Sequence, residues 1–170
     1  TAVEVAPDRL RFVCGRTSSP SATVMLAMGH SLLAPKPSTG TVSSFTKMKA
    51  TDGPLVTGAR CGFAPGGFIA AGAGGILLGD HVIFGPNVAL IASNYRYDRL
   101  DVPLEEQGHT SKGVRIGHNV WVGANCTILD GTVIGDNSIV VANSLLNRRF
   151  PPNSIIQGSP ARVILDRGRR

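Results

Sequence analysis

Between Ile116 and Leu146 an aliphatic residue returns at every sixth position: Ile116, Val122, Ile128, Ile134, Val140 and Leu146. A period of six is neither helical nor that of a plain hairpin, and it suits a solenoid with three short strands per turn and corners between them. Two places before each aliphatic residue from Val122 onward stands a small one: Val120, Cys126, Thr132, Ser138 and Ser144. Strand side chains alternate between faces, so the small and the aliphatic residue of each hexapeptide point inward and the residue between them points out. Gly117, Gly123 and Gly135 fall at corners, where positive φ or close backbone approach is needed. One turn takes three hexapeptides, so residues eighteen apart stack. Trp121 is therefore predicted beside Ile139 on one outer face, and Thr127 beside Leu145 on another.

Composition agrees with that architecture. The chain of 170 residues is 42% hydrophobic but only 5% aromatic, with 21 Gly and 11 Pro. Stacked Val, Ile and Ala with glycine corners accounts for this balance, whereas a helical bundle would use more Leu, Glu and Lys and far less glycine. A length of this order is most simply one domain. The formal charge of +6 could suggest nucleic acid, but the basic residues follow no helix and are not interleaved with aromatics. Many fall late, as Arg148, Arg149, Arg162, Arg167, Arg169 and Arg170. A small phosphorylated ligand would suit such a group; for the last three, a solvated tail is the simpler expectation.

Cys14, Cys61 and Cys126 show no metal spacing and leave an odd thiol in any disulfide scheme, which favours a reduced, cytoplasmic setting. The start carries Glu4 and Asp8, and the apolar run Ala22 to Met28 is too short for a signal peptide. The uncharged stretch Gly62 to Gly79 approaches the length of a membrane span, but its glycines and Pro65 assign it to the solenoid. No membrane span is expected.

Taken in order, residues 1–53 do not hold the repeat and read as irregular strands and turns capping the solenoid end. A loosened pattern with Val56, Cys61, Phe63, Phe68 and Ile69 becomes regular at Leu78, Phe84 and Leu90. The repeat then stops for a polar insertion over 92–113, SNYRYDRLDVPLEEQGHTSK at its heart. Insertions in repeat proteins emerge on one face, often the binding face, and long loops in compact domains tend to be functional. Paired prolines and GSP close the solenoid, with Ala161 to Arg170 expected as an exposed tail; the division is 1–53 cap, 54–164 solenoid and 165–170 tail.

The segments IGHNVWVGANCTILDGTVIGDNSIVVANSLL and PPNSIIQGSPARVI resemble the hexapeptide-repeat acyltransferases, in particular the sugar and polysaccharide O-acetyltransferases of the galactoside and maltose type. The resemblance runs from near Val56 to Ile164. It implies an all-β, left-handed parallel β-helix, an exception to the right-handed crossover rule. It also implies a homotrimer with sites in the clefts between subunits, acetyl-CoA as donor and a sugar hydroxyl as acceptor. In that family the insertion carries a catalytic histidine within a motif of asparagine, histidine, any residue, aromatic, aspartate. Here the motif reads Asn94, Tyr95, Arg96, Tyr97, Asp98, with Tyr95 at the histidine position.

That departure bears on the chemistry. An imidazole with a reference pKa of about 6.5 accepts a hydroxyl proton at neutral pH, whereas a phenol near about 10 is ionised only to roughly one part in a thousand. General-base catalysis contributes about 10² to 10⁴ in rate, so a chain relying on Tyr95 is expected to be slow. The replacement is engineered, or natural and inactivating, or compensated by His109 or Asp98 in the same loop. The resemblance further implies CoA contacts for Trp121, for Ala124 and Ala142 through their backbones, and for Asn147, Arg148 and Arg162 near the phosphates. Gln107 and Gly108 also fit the polysaccharide branch, without an assignable role.

Two rival classes remain. A catalytically inactive trimeric scaffold or sugar-binding remnant gains from Tyr95 and loses from Trp121, Arg148 and Arg162. A γ-carbonic-anhydrase-like metal site needs three ligands and an open position, and it is disfavoured. His81 and His118 occupy corners where asparagine would serve equally, and the strand after His118 reads CTILDG without the required histidine.

Overall fold

The computed structural model describes residues 53–169, together with the backbone of four strands nearer the start, Ala2–Ala6, Arg9–Val13, Thr23–Met25 and Lys47–Ala50. Three parallel sheets form the solenoid that the six-residue period predicts, as the left-handed β-helix that the resemblance implies. The first sheet stacks Leu55–Val56, Ile76–Leu78, Val114–Ile116, Val133–Ile134 and Arg149–Phe150. The second stacks Phe68–Ala71, Ala89–Ile91, Thr127–Leu129 and Leu145–Leu146, and the third Gly62–Phe63, Ile83–Phe84, Trp121–Val122, Ile139–Val140 and Ser154–Gly158. Trp121 lies beside Ile139 and Thr127 beside Leu145, the expected register.

Each sheet sends one apolar ladder into the prism. Ile69, Leu90, Ile128 and Leu146 stack on the second face, and all are essentially inaccessible to solvent. Burial of each such side chain contributes about 1.5–3 kcal/mol. On the third face Phe63 and Phe84 stack with ring centroids 4.9 Å apart. The small inward positions are buried as well, and their hydroxyls are satisfied by backbone carbonyls: Thr132 Oγ1 donates to the Leu146 carbonyl at 3.1 Å and Ser144 Oγ to that of Val141 at 2.6 Å. Among the described residues no buried side-chain polar atom lacks a partner, so serine and threonine cost the core little. Cys61 and Cys126 are free thiols in this row, and burial raises both pKa values.

The corners divide two tasks that the sequence left together. Gly117, Gly123 and Gly135 do not supply positive φ. Close approach is what excludes a side chain there: a Cβ on Gly123 would stand 2.6 Å from the Ala142 nitrogen of the next coil. Positive φ falls two residues later, on Asn119, Asn125 and Asn137, with His81, Asn87, Asn143 and Asn153 at matching corners. Asparagine enters this region more readily than other side chains because its short amide bonds locally. Four of these amides also bond in pairs, Asn119 Nδ2 to Asn137 Oδ1 at 2.9 Å and Asn87 Nδ2 to Asn125 Oδ1 at 3.1 Å.

The chain ends differ from expectation in one respect. The segment expected as an exposed tail is exposed after Ala161, but over Ala161–Asp166 it is also a strand, antiparallel to Ser154–Gly158. Arg167 donates to the Asn137 carbonyl at 2.5 Å and Arg169 pairs with Asp166 at 3.5 Å, so these two arginines are tethered. Arg170 lies outside the described residues. Near the start, Arg9–Val13 pairs antiparallel with Leu55–Val56, and Lys47–Ala50 runs parallel with Phe68–Ala71, extending the first and second sheets. The rest of the cap expected over 1–53, Cys14 included, lies outside the described residues. Gly62 to Gly79 forms strands of the solenoid, and among the described residues no helix is long and apolar enough to cross a membrane.

Candidate active site

The insertion leaves the helix after Ala89–Ile91 and returns at Val114–Ile116, at the corner between the second and first sheets. It is not structureless. Asn94–Tyr95 and His109–Thr110 form a short antiparallel ribbon, and Leu104–Glu106 makes one 3-10 turn between them. Tyr95 lies directly opposite His109, and the Arg96 amide donates to the Gly108 carbonyl at 3.0 Å. That bond makes Arg96 and Gly108 a hydrogen-bonded pair, so Tyr95 and His109 form a non-hydrogen-bonded pair. In such pairs the Cα atoms approach to about 4.5 Å and side chains rise closely together. The two rings accordingly meet with centroids 4.2 Å apart and planes inclined by 38°.

Three side chains with no family role in the sequence reading hold this ribbon. The Gln107 amide donates to the carbonyls of Arg99 and Val102, each at 2.8 Å, and accepts from the Arg99 amide at 3.1 Å. Ser111 Oγ accepts from the Gly74 amide at 2.8 Å and donates to the Ala92 carbonyl. Asp130 accepts from the amides of Lys112 at 2.8 Å and Gly113 at 2.7 Å. Gln107 carried a cue, as the amide beside Gly108 at the end of a charged loop. Ser111 and Asp130 carried none, because their partners are backbone groups elsewhere in the chain.

Asp98 stands exposed further along the same loop. Asn147 and Arg148, also exposed, occupy the same corner of the prism lower down, between Leu145–Leu146 and Arg149–Phe150. The remaining candidates belong elsewhere. Trp121 projects from the third sheet, 55% exposed, while its neighbours Val120 and Val122 are buried. Ala124 and Ala142 lie at successive corners between the third and second sheets, tied by the Asn143 amide to the Ala124 carbonyl at 2.9 Å. Arg162 sits on the closing strand of the third sheet. A single chain therefore divides the candidates between two sides of the prism.

Among the described residues, the histidines outside the loop serve the corners; His30 lies outside the described residues. His81 holds φ 59, and His118 Nδ1 accepts from the Asp80 amide at 3.0 Å. No group of three His, Cys, Asp or Glu side chains among the described residues is placed to hold a metal ion.

Comparison with known proteins agrees with the repeat. Residues 113–148 match the family described as bacterial transferase hexapeptide (six repeats). The chain is similar to the galactoside O-acetyltransferase of Escherichia coli (strain K12), 37% identical over 90 residues, covering 52% of this chain and 43% of that protein. It is also similar to the crystal structure of a hexapeptide-repeat acetyltransferase from Vibrio cholerae O1 biovar eltor complexed with acetyl coenzyme A. The identity is 30% and the TM-score 0.58, covering 62% of this chain and 56% of that one. A galactoside acetyltransferase in complex with coenzyme A shows 31% identity and a TM-score of 0.56, covering 65% of this chain and 53% of that one. The chain spans less than half the length of the galactoside O-acetyltransferase sequence it matches.

Proposed function

We propose that this chain is an acetyl-CoA-dependent O-acetyltransferase acting on a sugar or polysaccharide-precursor hydroxyl, working as a homotrimer in the cytoplasm. The observation that carries the reading is the exposed indole of Trp121, fixed in mid-strand by two buried neighbours, within a segment that matches the transferase hexapeptide family. An indole so held can stack on a ligand or on a neighbouring subunit. The division of candidates supports the trimer, because a second copy could bring the loop side of one prism against the third sheet of another. That sheet aligns Ile83, Trp121, Ile139, Ile155 and Leu165 in one outward row, with Ile83, Trp121 and Leu165 exposed, an apolar strip of the kind that marks an interface.

In this reading the backbones of Ala124 and Ala142 meet the pantetheine arm. Asn147, Arg148 and Arg162 meet the phosphates, where a planar guanidinium suits a phosphate oxygen pair. The loop carries Arg96, Asp98, Arg99, Asp101, Glu105 and Glu106 as hydrogen-bond partners for acceptor hydroxyls. The acceptor oxygen attacks the thioester carbonyl directly, and backbone amides are suited to the developing oxyanion. Thiolate then leaves as coenzyme A.

The test joins calorimetry with coenzyme A to a thiol-release assay over a panel of sugar acceptors. Trp121→Ala and Arg148→Ala are expected to weaken coenzyme A binding with unchanged thermal unfolding. Unaltered affinity in both would remove them from the site. The second reading, an inactive scaffold or sugar-binding remnant, rests on Tyr95 at the histidine position; coenzyme A binding without turnover on any acceptor would favour it.

A further inference from the structure

We propose that His109, opposite Tyr95 on the ribbon, is the group that takes the proton from the acceptor hydroxyl, and that Tyr95 positions its imidazole. The inference rests on the transferase reading above and adds which side chain performs its proton transfer. The geometry comes from the register: the non-hydrogen-bonded pairing of Tyr95 with His109 puts both rings on one face of the ribbon, in contact at 4.2 Å. A base moved from one strand of such a ribbon to the facing position on the other stays within the same small volume. The loop thus offers an imidazole where the sequence motif alone offers a phenol.

The alternatives within the loop are weaker. A phenol with a reference pKa near about 10 is rarely ionised at neutral pH, and a carboxylate near about 3.9 is a poor acceptor of a hydroxyl proton. Asp98 also stands beyond the ribbon, three residues past Tyr95. The titratable group facing His109 from the opposing strand is Tyr95, and the charged groups next along that strand are Arg96 and Asp98. The ribbon is pinned by Gln107 from within the loop and by Ser111 and Asp130 at its exit, which holds the backbone that carries the imidazole; the imidazole itself is in contact with the Tyr95 ring.

The step balances simply. The acceptor O–H proton passes to an imidazole nitrogen as the oxygen bonds to the acetyl carbonyl carbon. The carbon–sulfur bond then breaks, and the imidazolium returns the proton to the departing thiolate of coenzyme A. No oxidant, reductant or metal is needed.

The experiment uses the full chain with acetyl-CoA and the acceptor panel. His109→Gln is expected to lower kcat by about 10² or more while KM for acetyl-CoA stays unchanged. Tyr95→Phe, which keeps the ring that packs on the imidazole, is expected to lower kcat less than removal of the ring does. Tyr95→Ala, which removes it, is expected to lower kcat without moving KM. The acidic limb that a histidine base gives to kcat/KM should survive in both Tyr95 variants and vanish in His109→Gln. Undiminished kcat in His109→Gln, or persistence of that limb, overturns the inference. A chain that binds coenzyme A yet transfers acetyl only after Tyr95→His overturns it while leaving the family scaffold reading intact. Absence of coenzyme A binding overturns both.

Discussion

Replacing Gly123 by alanine tests whether corner glycines are there for space between coils. A methyl at this position would stand 2.6 Å from the Ala142 nitrogen and 3.0 Å from the Val140 carbonyl oxygen, well inside ordinary contact. Both atoms are backbone, so no side chain can swing aside. The coils would have to part by several tenths of an ångström. That movement strains two inter-coil bonds, from the Gly123 amide to the Val140 carbonyl at 2.8 Å and from the Asn143 amide to the Ala124 carbonyl at 2.9 Å. At about 0.5–1.5 kcal/mol per bond the expected loss is about 1–3 kcal/mol, in the range of other overpacking substitutions. Gly62 provides the control, because it lies on the same sheet with open space where its Cβ would be. Gly62→Ala should stabilise by about 0.5–1 kcal/mol, since glycine inside a strand costs that much relative to alanine. The assay is urea unfolding at matched protein concentration, with midpoints compared at unchanged m-value. Equal midpoints for the two variants would refute the close-approach argument.

Three further outcomes are expected. Asn119→Ala should cost about 1–2 kcal/mol because it forces an alanine to φ 55, whereas Asn119→Gly should lose far less; similar losses in thermal melts would show that φ is not the cause. Gln107→Ala removes three loop hydrogen bonds and should reduce acetyl transfer without shifting the melting temperature, and a variant with full turnover would show that the ribbon needs no such pin. Burial raises the Cys126 pKa above the unfolded value, so its contribution to stability is complete below about pH 8.5 and declines as pH rises toward the folded value. Unfolding midpoints of the native chain and Cys126→Ala, followed from neutral to alkaline pH, should therefore converge; a constant gap would refute the linkage.

Periodic information was legible in the sequence because it is local. Alternation within a strand fixes which residue of each hexapeptide is buried, and the six-residue return carries that choice from face to face. Ile128, Trp121 and the register of Thr127 on Leu145 followed from that rule alone. The sequence likewise located the insertion, since a break in a repeat is as visible as the repeat. The resemblance singled out Tyr95, but neither it nor the spacing told which partner would face that ring.

The pairing of Tyr95 with His109 was settled in three dimensions, because it depends on how a loop without period closes on itself. Gln107 sets that closure by bonding backbone carbonyls, which leave no mark on residue type. The corner roles were divided in the same way: glycine yields space to the coil stacked on it, and asparagine takes the left-handed turn, a distinction made by a neighbour in the next coil. Strand formation by Ala161–Asp166 and the tether of Arg167 to Asn137 also depend on an edge built by earlier residues. Local alternation writes the prism into the chain, while contacts between non-repeating segments exist only once the coils have stacked.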